Sequence, residues 1–251
     1  MCLSDAGGYA QAVSVCQRGA LARVVGMEGV YSCWLELFGN RVKDMQKDYE
    51  LLHSEKISDG FFKLHRMQIR HRSFHGDWCA PVVRERLEDI SAVSVLLYDP
   101  DEDAVVLVEQ FRAGMLGVQD PPWSMETVSG FCDKSHEAPD EVARREVKEE
   151  TGCEVSQLTP VGSFFVSPGF STEQIHLYVG RVDSRRADGI HGLAHEGEEI
   201  RVHVMSRAQA MQALFGRLCS TSILIAMQWL DRNREMLLQQ WAVGQATPDS
   251  P

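Results

Sequence analysis

The sequence predicts an α/β sandwich in which helices pack against a mixed sheet, with antiparallel strands near the N-terminus. From residue 48 onward, short runs rich in β-branched and aromatic residues recur, and such runs are typical of strands. Three longer segments carry helical signals, and one of them lies between strand-like runs. Because strands and helices are interspersed, layers of helix packed on sheet are the favoured architecture.

The strand-like runs appear in three groups along the chain. Residues 48–58 and 61–76 form the first group, and the second of these runs ends at a His-Gly turn. Residues 91–112 contain two β-rich runs joined by the sequence DPDED, which predicts a hairpin. The third group of predicted strands comprises residues 161–166, 174–182 and 200–205.

The helical segments have recognisable ends. Ala138–Thr151 has Pro139 near its first turn and Gly152 just beyond its last residue, which is the usual asymmetry of helix termini. Ser206 is a predicted N-cap for a helix over residues 207–217. Cys219–Trp241 is the third predicted helix and the longest.

Composition excludes several classes of protein. The net charge of −11 argues against binding nucleic acid, which requires a basic face. No segment approaches the 18 or more apolar residues of a membrane span, and the first residues lack the pattern of a secretory signal. The seven cysteines form no C-x-x-C pair, so reduced thiols in a cytoplasm are the expected state.

The helix over 138–151 carries an unusual group of carboxylates. Glu146 lies one turn from both Glu149 and Glu150, and like charges at this spacing cost a helix about 0.2–0.5 kcal/mol per pair. A solvated acidic face would explain such a run by charge alone. Stacked carboxylates also suit Mg²⁺, which takes oxygen ligands and relieves the repulsion. We therefore predict that Glu146 and Glu150 face a cation.

Residues 130–153, GFCDKSHEAPDEVARREVKEETGC, resemble the Nudix box, G-x5-E-x7-R-E-U-x-E-E-x-G-U, in which U is aliphatic. Arg145 and the three glutamates match, and Glu137 has the correct spacing before Arg145. The sequence departs from the box at two places. Six residues rather than five separate Gly130 from Glu137, and Cys153 takes the last aliphatic position. The extra residue falls in the loop before the helix, where it leaves the helix unchanged.

From about residue 48 to residue 241 the chain is similar to bacterial ADP-ribose pyrophosphatases. The segments VVLVEQFR, PPWSMETVSG, SPGFSTE and HEGEEI carry this similarity, and Pro168 stands sixteen residues after Gly152 as in members that prefer ADP-ribose. The resemblance implies a Nudix-type α/β/α sandwich. It also implies four regions: an N-terminal extension at 1–44 that we expect to be dispensable, strands for dimerisation and substrate contacts at 45–90, the Nudix hydrolase domain at 91–242, and a flexible tail at 243–251.

The resemblance further implies that a homodimer with shared sites hydrolyses ADP-ribose to AMP and ribose 5-phosphate, using Mg²⁺ or alternatively Mn²⁺. Arg145 and Glu137 would brace the box by salt bridges, and His195 is expected to be a surface histidine. Between Glu196 and Glu198 the choice of base stays open. The implied metal ligands are Ser129 through its carbonyl, Glu146, Glu150 and Glu198. The implied catalytic residues are Glu196 and Glu149, and the implied substrate contacts are Phe61, Arg84, Glu85, Arg112 and Glu173.

Three alternatives remain at this point. The box is common to hydrolases of other nucleotides, such as GDP-mannose or dinucleoside polyphosphates, and only residues outside the box favour ADP-ribose. A non-catalytic Nudix domain that senses a nucleotide is a different class, although such domains usually lose box carboxylates. The third alternative is an acidic helix with a purely structural role.

Overall fold

The computed structural model describes residues 48–88, 91–134 and 136–243, with the backbone but not the side chain of Glu196. The predicted extension at residues 1–44 lies outside these ranges. The predicted tail at residues 243–251 does so too, except for Val243, which is the last residue of a helix. Among the described helices, none is long and apolar enough to cross a membrane.

In the described part of the chain there are eleven strands and three α-helices. The strands are β1 (Tyr49–Asp59), β2 (Lys63–His71), β3 (Val82–Glu88), β4 (Ala92–Asp99), β5 (Ala104–Phe111), β6 (Trp123–Glu126), β7 (Val128–Phe131), β8 (Gln157–Phe165), β9 (Gln174–Arg181), β10 (Ile190–His191) and β11 (Ile200–Ser206). The helices are α1 (Pro139–Thr151), α2 (Arg207–Ala213) and α3 (Thr221–Val243).

The strands form two sheets. One contains β1, β2 and β3 in that order, and its β2–β3 pairing is antiparallel. The other has the order β10-β11-β5-β4-β9-β8, and β6 and β7 pair with β5 and β4 respectively. Within the large sheet β4 is parallel to β9, whereas its pairings with β5 and β7 are antiparallel. The predicted mixed sheet with separate N-terminal strands is therefore confirmed.

The large sheet lies between two layers of helix. Strand β4 is buried along its whole length, so its alternate side chains enter two different cores. Val93 and Val95 pack in a cluster with Val147 of α1, while Leu96 packs in a second cluster with Leu230 of α3. The three-layer arrangement follows because both faces of the strand are apolar.

Strands β4 and β5 diverge at one end. Residues 97–99 of β4 pair with β5, but residues 92–95 pair with β7 instead. Strand β5 pairs with β6 over residues 108–111. The two strand pairs are joined through Thr127, and the divergence opens the sheet beside the C-terminal half of β5.

Contacts between Cα atoms divide the chain into two compact units. The first takes in the described residues 48–50 and 70–81, and the second takes in residues 51–69 and 82–243. Within the first unit the guanidinium groups of Arg70 and Arg72 each lie 4.6 Å from the ring centroid of Trp78. The large sheet, the helices packed on it and the cavity described below belong to the second unit.

Most of the predicted strands and helices are present in the structure. The DPDED hairpin is confirmed, since only residues 100–103 separate β4 from its antiparallel partner β5. The Ser206 N-cap is confirmed as well, since Ser206 Oγ accepts a hydrogen bond from the Gln209 N–H at 3.2 Å. The helix predicted to reach residue 217 ends at Ala213, because the backbone at Phe215 has a φ of 60°, which a helix cannot contain. The sequence pattern did not predict β3, β6, β7 or β10.

Candidate active site

A cavity of about 760 Å³ lies where β4 and β5 diverge, and its wall includes α1, the loop before β11 and the first turn of α3. Acidic side chains dominate the wall, with Arg112, Lys134 and Arg145 as its basic residues other than histidine. The acidic residues are Glu126, Asp133, Glu146, Glu149, Glu150, Glu173 and Glu198. An anionic substrate would be repelled from such a wall unless cations accompany it.

Helix α1 holds the box carboxylates in position. It begins at Pro139, where the Glu141 carboxylate accepts a hydrogen bond from the Ala138 N–H at 2.8 Å, and it ends before Gly152 in the left-handed conformation with a φ of 68°. Val142 and Val147 are fully buried against the sheet. The apolar face therefore fixes the rotation of the helix and directs Glu146 and Glu150 to the cavity.

Glu146 and Glu150 are buried acids beside β7. The side chain of Glu146 is 14 % exposed and Glu150 is 3 % exposed. One carboxylate oxygen of Glu150 accepts a hydrogen bond from the Ser129 N–H at 3.3 Å. A Cβ atom on Gly130 would lie 2.1 Å from the Glu146 carboxyl carbon, so only glycine leaves room for this side chain.

Arg145 braces the acidic face, as the box resemblance implied. Its Nε and Nη2 donate to Glu137 at 3.0 and 3.2 Å, and its Nη1 donates to Glu146 at 2.8 Å and to Glu149 at 3.0 Å. The hydrogen bonds that the guanidinium donates to Glu137 raise the pKa of Arg145 above its usual value. Arg145 therefore stays a cation, and its single positive charge is shared among three carboxylates.

Burial and mutual repulsion raise the pKa values of Glu146 and Glu150 strongly. Burial, reinforced by Glu149, raises the pKa of Glu146 to about 7 even though Arg145 opposes the shift. Burial, with repulsion from Glu146 and Glu198, raises the pKa of Glu150 well above its usual value. Such a group of oxygen ligands suits a hard divalent cation, whose charge would remove the repulsion.

The oxygen ligands fit Mg²⁺ or Mn²⁺ by chemistry, but protein donors already engage them. Arg145 engages Glu146, and the Ser129 N–H engages Glu150. Within the described ranges no three His, Cys, Asp or Glu side chains are gathered as a complete ligand set. Each of these hydrogen bonds uses one oxygen of its carboxylate, and a carboxylate can accept a hydrogen bond and ligate an ion at the same time.

Arg112 follows β5 and lies on the cavity wall. Its Nε and Nη2 donate to the Glu126 carboxylate, with a shortest distance of 2.7 Å. Burial lowers the pKa of Arg112, but the ion pair with Glu126 outweighs this and the net shift is upward. Sequence patterns gave no role to Glu126. Its pairing opposite Val108 across β5 and β6 brings it to Arg112, and this register is not visible in the sequence.

The loop before β11 carries the predicted acids at positions 196 and 198. Glu198 lies on the cavity wall, and its carboxylate is 3.5 Å from the Leu193 N–H. A Cβ atom on Gly192, whose φ is 100°, would approach the Glu198 Cβ to 2.9 Å, so glycine permits this close loop. The Glu196 side chain lies outside the described part, and its catalytic role stays a prediction. His195 is exposed, as expected, and it also lines the cavity.

Comparison with known proteins identifies the family. A family model described as the NUDIX domain matches residues 89–219, which is about half of the chain and includes the whole box helix. The chain belongs to the NUDIX family.

Three relatives of this chain carry the names of pyrophosphatases. The ADP-ribose pyrophosphatase of Haemophilus influenzae is 43 % identical over 200 residues, covering 78 % of this chain and 92 % of the relative. The enzyme of the same name from Escherichia coli strain K12 is 41 % identical over 198 residues, covering 78 % of this chain and 94 % of the relative. A GDP-mannose pyrophosphatase from Escherichia coli strain SMS-3-5 is 30 % identical over 175 residues, covering 68 % and 87 % respectively.

A solved structure supports the NUDIX fold. The crystal structure of an ADP compounds hydrolase aligns with a TM-score of 0.53, covering 80 % of this chain and 97 % of that chain. At 19 % sequence identity the likeness bears on the fold alone.

The predicted substrate contacts of this NUDIX domain fall into two groups. Arg112 and Glu173 line the cavity. Arg84 and Glu85 lie on β3, where Arg84 donates to the Val83 carbonyl at 2.8 Å and Glu85 accepts from Arg66 at 3.0 Å. Neither Arg84 nor Glu85 lines the cavity of its own chain. Their role as substrate contacts stays a prediction.

Phe61 lies at the rim of the NUDIX cavity. It is 77 % exposed, and its ring contacts Phe131, a cavity residue, edge to face at a centroid distance of 5.9 Å. The strand predicted to begin at residue 61 begins at Lys63. Residues 60–62 form a bend between β1 and β2, and the rings of Phe61 and Phe62 meet there with their centroids 4.8 Å apart.

Proposed function

We propose that this NUDIX protein hydrolyses the diphosphate of ADP-ribose and releases AMP and ribose 5-phosphate. The observation that carries the proposal is the pair of buried, mutually repelling acids, Glu146 and Glu150, in a cavity large enough for a nucleotide sugar. Relatives named ADP-ribose pyrophosphatase at 41–43 % identity support this choice of substrate. Pro168 and the segments outside the box support it as well.

Glu146, Glu150, Glu198 and the Ser129 carbonyl would hold Mg²⁺ or Mn²⁺. When bound, the ion neutralises phosphate charge and makes an attacking water more acidic. Arg112 binds a phosphate oxygen with the N–H groups that Glu126 does not use. Glu196, or Glu198 in the alternative assignment, takes a proton from the water, and Glu149 supports the same face of the cavity.

Hydrolysis of the diphosphate needs no reactant other than water. The water oxygen forms a bond to one phosphorus, and the bond from that phosphorus to the bridging oxygen breaks. The bridging oxygen leaves with the other phosphate, while the base holds the proton from water until it returns to solvent. One molecule of water is consumed, and two phosphate monoesters are released.

Arg84 and Glu85 do not line the cavity of their own chain. A homodimer in which each copy completes the site of the other accounts for this. The three-stranded sheet leaves large apolar side chains exposed, including Leu51 at 55 %, Val83 at 56 % and Ile57 at 38 %. Apolar surface of this kind is characteristic of a protein–protein interface. In such a dimer Arg84 and Glu85 would contact the substrate held by the box of the second copy.

Mixed dimers test whether the sites are shared. Arg84→Ala and Glu150→Gln should each leave a homodimer nearly inactive. When the two variants are unfolded, mixed equally and refolded, about half of the dimers contain one chain of each kind. In a shared arrangement one site of a mixed dimer carries both defects and the other carries none, so about a quarter of the wild-type activity should return. No recovery, with mixed dimers confirmed by mass, would refute shared sites.

We place the enzyme in the cytoplasm. The cysteines at positions 79, 132, 153 and 219 are free thiols, which fits a reducing compartment.

A substrate panel tests the proposed function directly. Nucleotide release from ADP-ribose, GDP-mannose and a dinucleoside polyphosphate should be measured with Mg²⁺ and with EDTA. The proposal expects the highest kcat/KM for ADP-ribose and no turnover with EDTA. GDP-mannose is the second candidate because relatives with that activity in their names are 30 % identical. Binding without turnover of any substrate would instead indicate a nucleotide sensor.

A further inference from the structure

Gln110 is a buried polar residue in the wall of the cavity with an unused donor. It is 6 % exposed, and its Nε2 has no hydrogen-bond partner among the described residues. Native proteins leave few buried polar atoms unpaired, because each has lost its hydrogen bonds to water without replacement. An unpaired amide beside a cavity is therefore a candidate for a contact that a ligand completes.

The position of Gln110 relates it to the proposed phosphate site. It precedes Arg112 by two residues on an extended segment, so both side chains lie on the same face, about 7 Å apart along the strand. Gln110 pairs with Ser124, and Val108 pairs with Glu126, which places the Arg112–Glu126 ion pair on this face as well. A ligand held by Arg112 thus passes close to the Gln110 amide.

The other N–H groups in the cavity indicate which ligand atom the Gln110 amide would contact. The Nε and Nη2 atoms of Arg112 are engaged by Glu126, and Arg145 is engaged by three glutamates. A diphosphate presents several acceptor oxygens and, once ionised, no donors, so it needs N–H groups that are not already committed. The Gln110 Nε2 is such a group, and it adds no charge.

We propose that Gln110 is a substrate-positioning residue whose side-chain amide donates a hydrogen bond to a non-bridging oxygen of the diphosphate. This inference rests on the proposed function and adds a specificity contact to it. The contact does not require the metal, because Gln110 lines the cavity and a half-turn of its amide exchanges the positions of Nε2 and Oε1. It should therefore contribute to binding even when EDTA removes divalent ions.

Two substitutions separate this role from a structural one. Gln110→Met keeps a similar shape without a donor, and Gln110→Glu replaces the N–H by a carboxylate oxygen. Binding of ADP-ribose in EDTA is measured by calorimetry, KM and kcat are measured with Mg²⁺, and melting temperature is measured without ligand. We expect Gln110→Met to raise Kd and KM at least about tenfold with little change in kcat, since the contact exists before and during reaction.

The same experiment has a stability readout that a structural role would not produce. Removing an unpaired buried amide should leave the melting temperature of Gln110→Met equal to or above that of the wild type. Gln110→Glu should bind more weakly than Gln110→Met, because a carboxylate repels the diphosphate. Gln157→Met is a matched control, since Gln157 lies outside the cavity and its Nε2 donates to the Trp241 carbonyl at 3.1 Å. The control should bind ADP-ribose normally.

Specific outcomes overturn the inference. If the wild type binds and hydrolyses ADP-ribose and Gln110→Met does so with the same Kd and KM, Gln110 has no positioning role. If Gln110→Met binds weakly but Gln110→Glu binds normally, the partner is a hydroxyl donor and the phosphate assignment is wrong. A wild type that binds ADP-ribose without hydrolysing it refutes the proposed function alone. Inhibition by AMP and by ribose 5-phosphate then identifies which phosphate the amide contacts, since only one should weaken in Gln110→Met.

Discussion

Glu146 offers a test of whether the acidic face is built for a cation rather than for stability. Its carboxyl is largely buried, and its pKa lies near 7 where an ordinary glutamate has 4.5. A raised pKa means that the folded protein prefers the protonated form. The stability associated with that proton is complete below pH 4.5 and is lost as the pH rises through about 7.

The size of the effect follows from the shift. At about 1.4 kcal/mol per pH unit, a rise from 4.5 to about 7 corresponds to about 3 kcal/mol of lost stability at pH 8. Glu146→Gln cannot ionise, yet its amide oxygen can still accept the hydrogen bond from Arg145. In EDTA, we therefore expect Glu146→Gln to be more stable than the wild type by up to about 3 kcal/mol at pH 8, and the difference should shrink towards zero near pH 5.

Urea denaturation at equal protein concentration, in EDTA and at several pH values from 5 to 8, measures this difference. Glu154→Gln is the control, because Glu154 is 77 % exposed and its hydrogen bond with Lys148 lowers its pKa instead of raising it. The control should show no gain at pH 8. The reasoning is refuted if Glu146→Gln is less stable than the wild type at pH 8, or if the difference does not depend on pH.

Three further predictions concern activity. Glu150→Gln should keep the fold, lower the rate of ADP-ribose hydrolysis by about 10²–10³ and need more Mg²⁺, as a metal titration of the initial rate would show. Gly130→Ala should lower the rate by about 10², because its Cβ would displace the Glu146 carboxyl from 2.1 Å away, whereas Gly114→Ala, with no atom within 4 Å of the new Cβ, should retain normal rates. A chain that starts at Met45 should keep its activity and dimeric mass, because the resemblance to the family begins near that residue.

Each of these predictions can fail in a recognisable way. Normal hydrolysis by Glu150→Gln at low Mg²⁺ would mean that the helix is only an acidic surface. A fully active Gly130→Ala would show that Glu146 does not need its present position. Loss of activity or of dimer mass on removal of residues 1–44 would assign that region a role in folding or in the site.

The box helix is the part of the site that the sequence determined most completely. Pro139, Gly152 and the spacing of the glutamates act within a single helix, so local rules were enough to predict its bounds and its carboxylate face. The hairpin between β4 and β5 was predictable for the same reason, since turn residues join two adjacent strands.

The tertiary structure alone decided which distant residues meet in the cavity. Strands β6 and β7 have four residues each, too few to show a period, and they exist because β4 and β5 diverge and offer them hydrogen-bonding partners. That pairing brings Glu126 to Arg112 and encloses Gln110, whereas burial beside β7 raises the pKa values of Glu146 and Glu150. Such properties depend on neighbours far apart in the chain, and charge repulsion and desolvation act through space, so no local pattern could encode them.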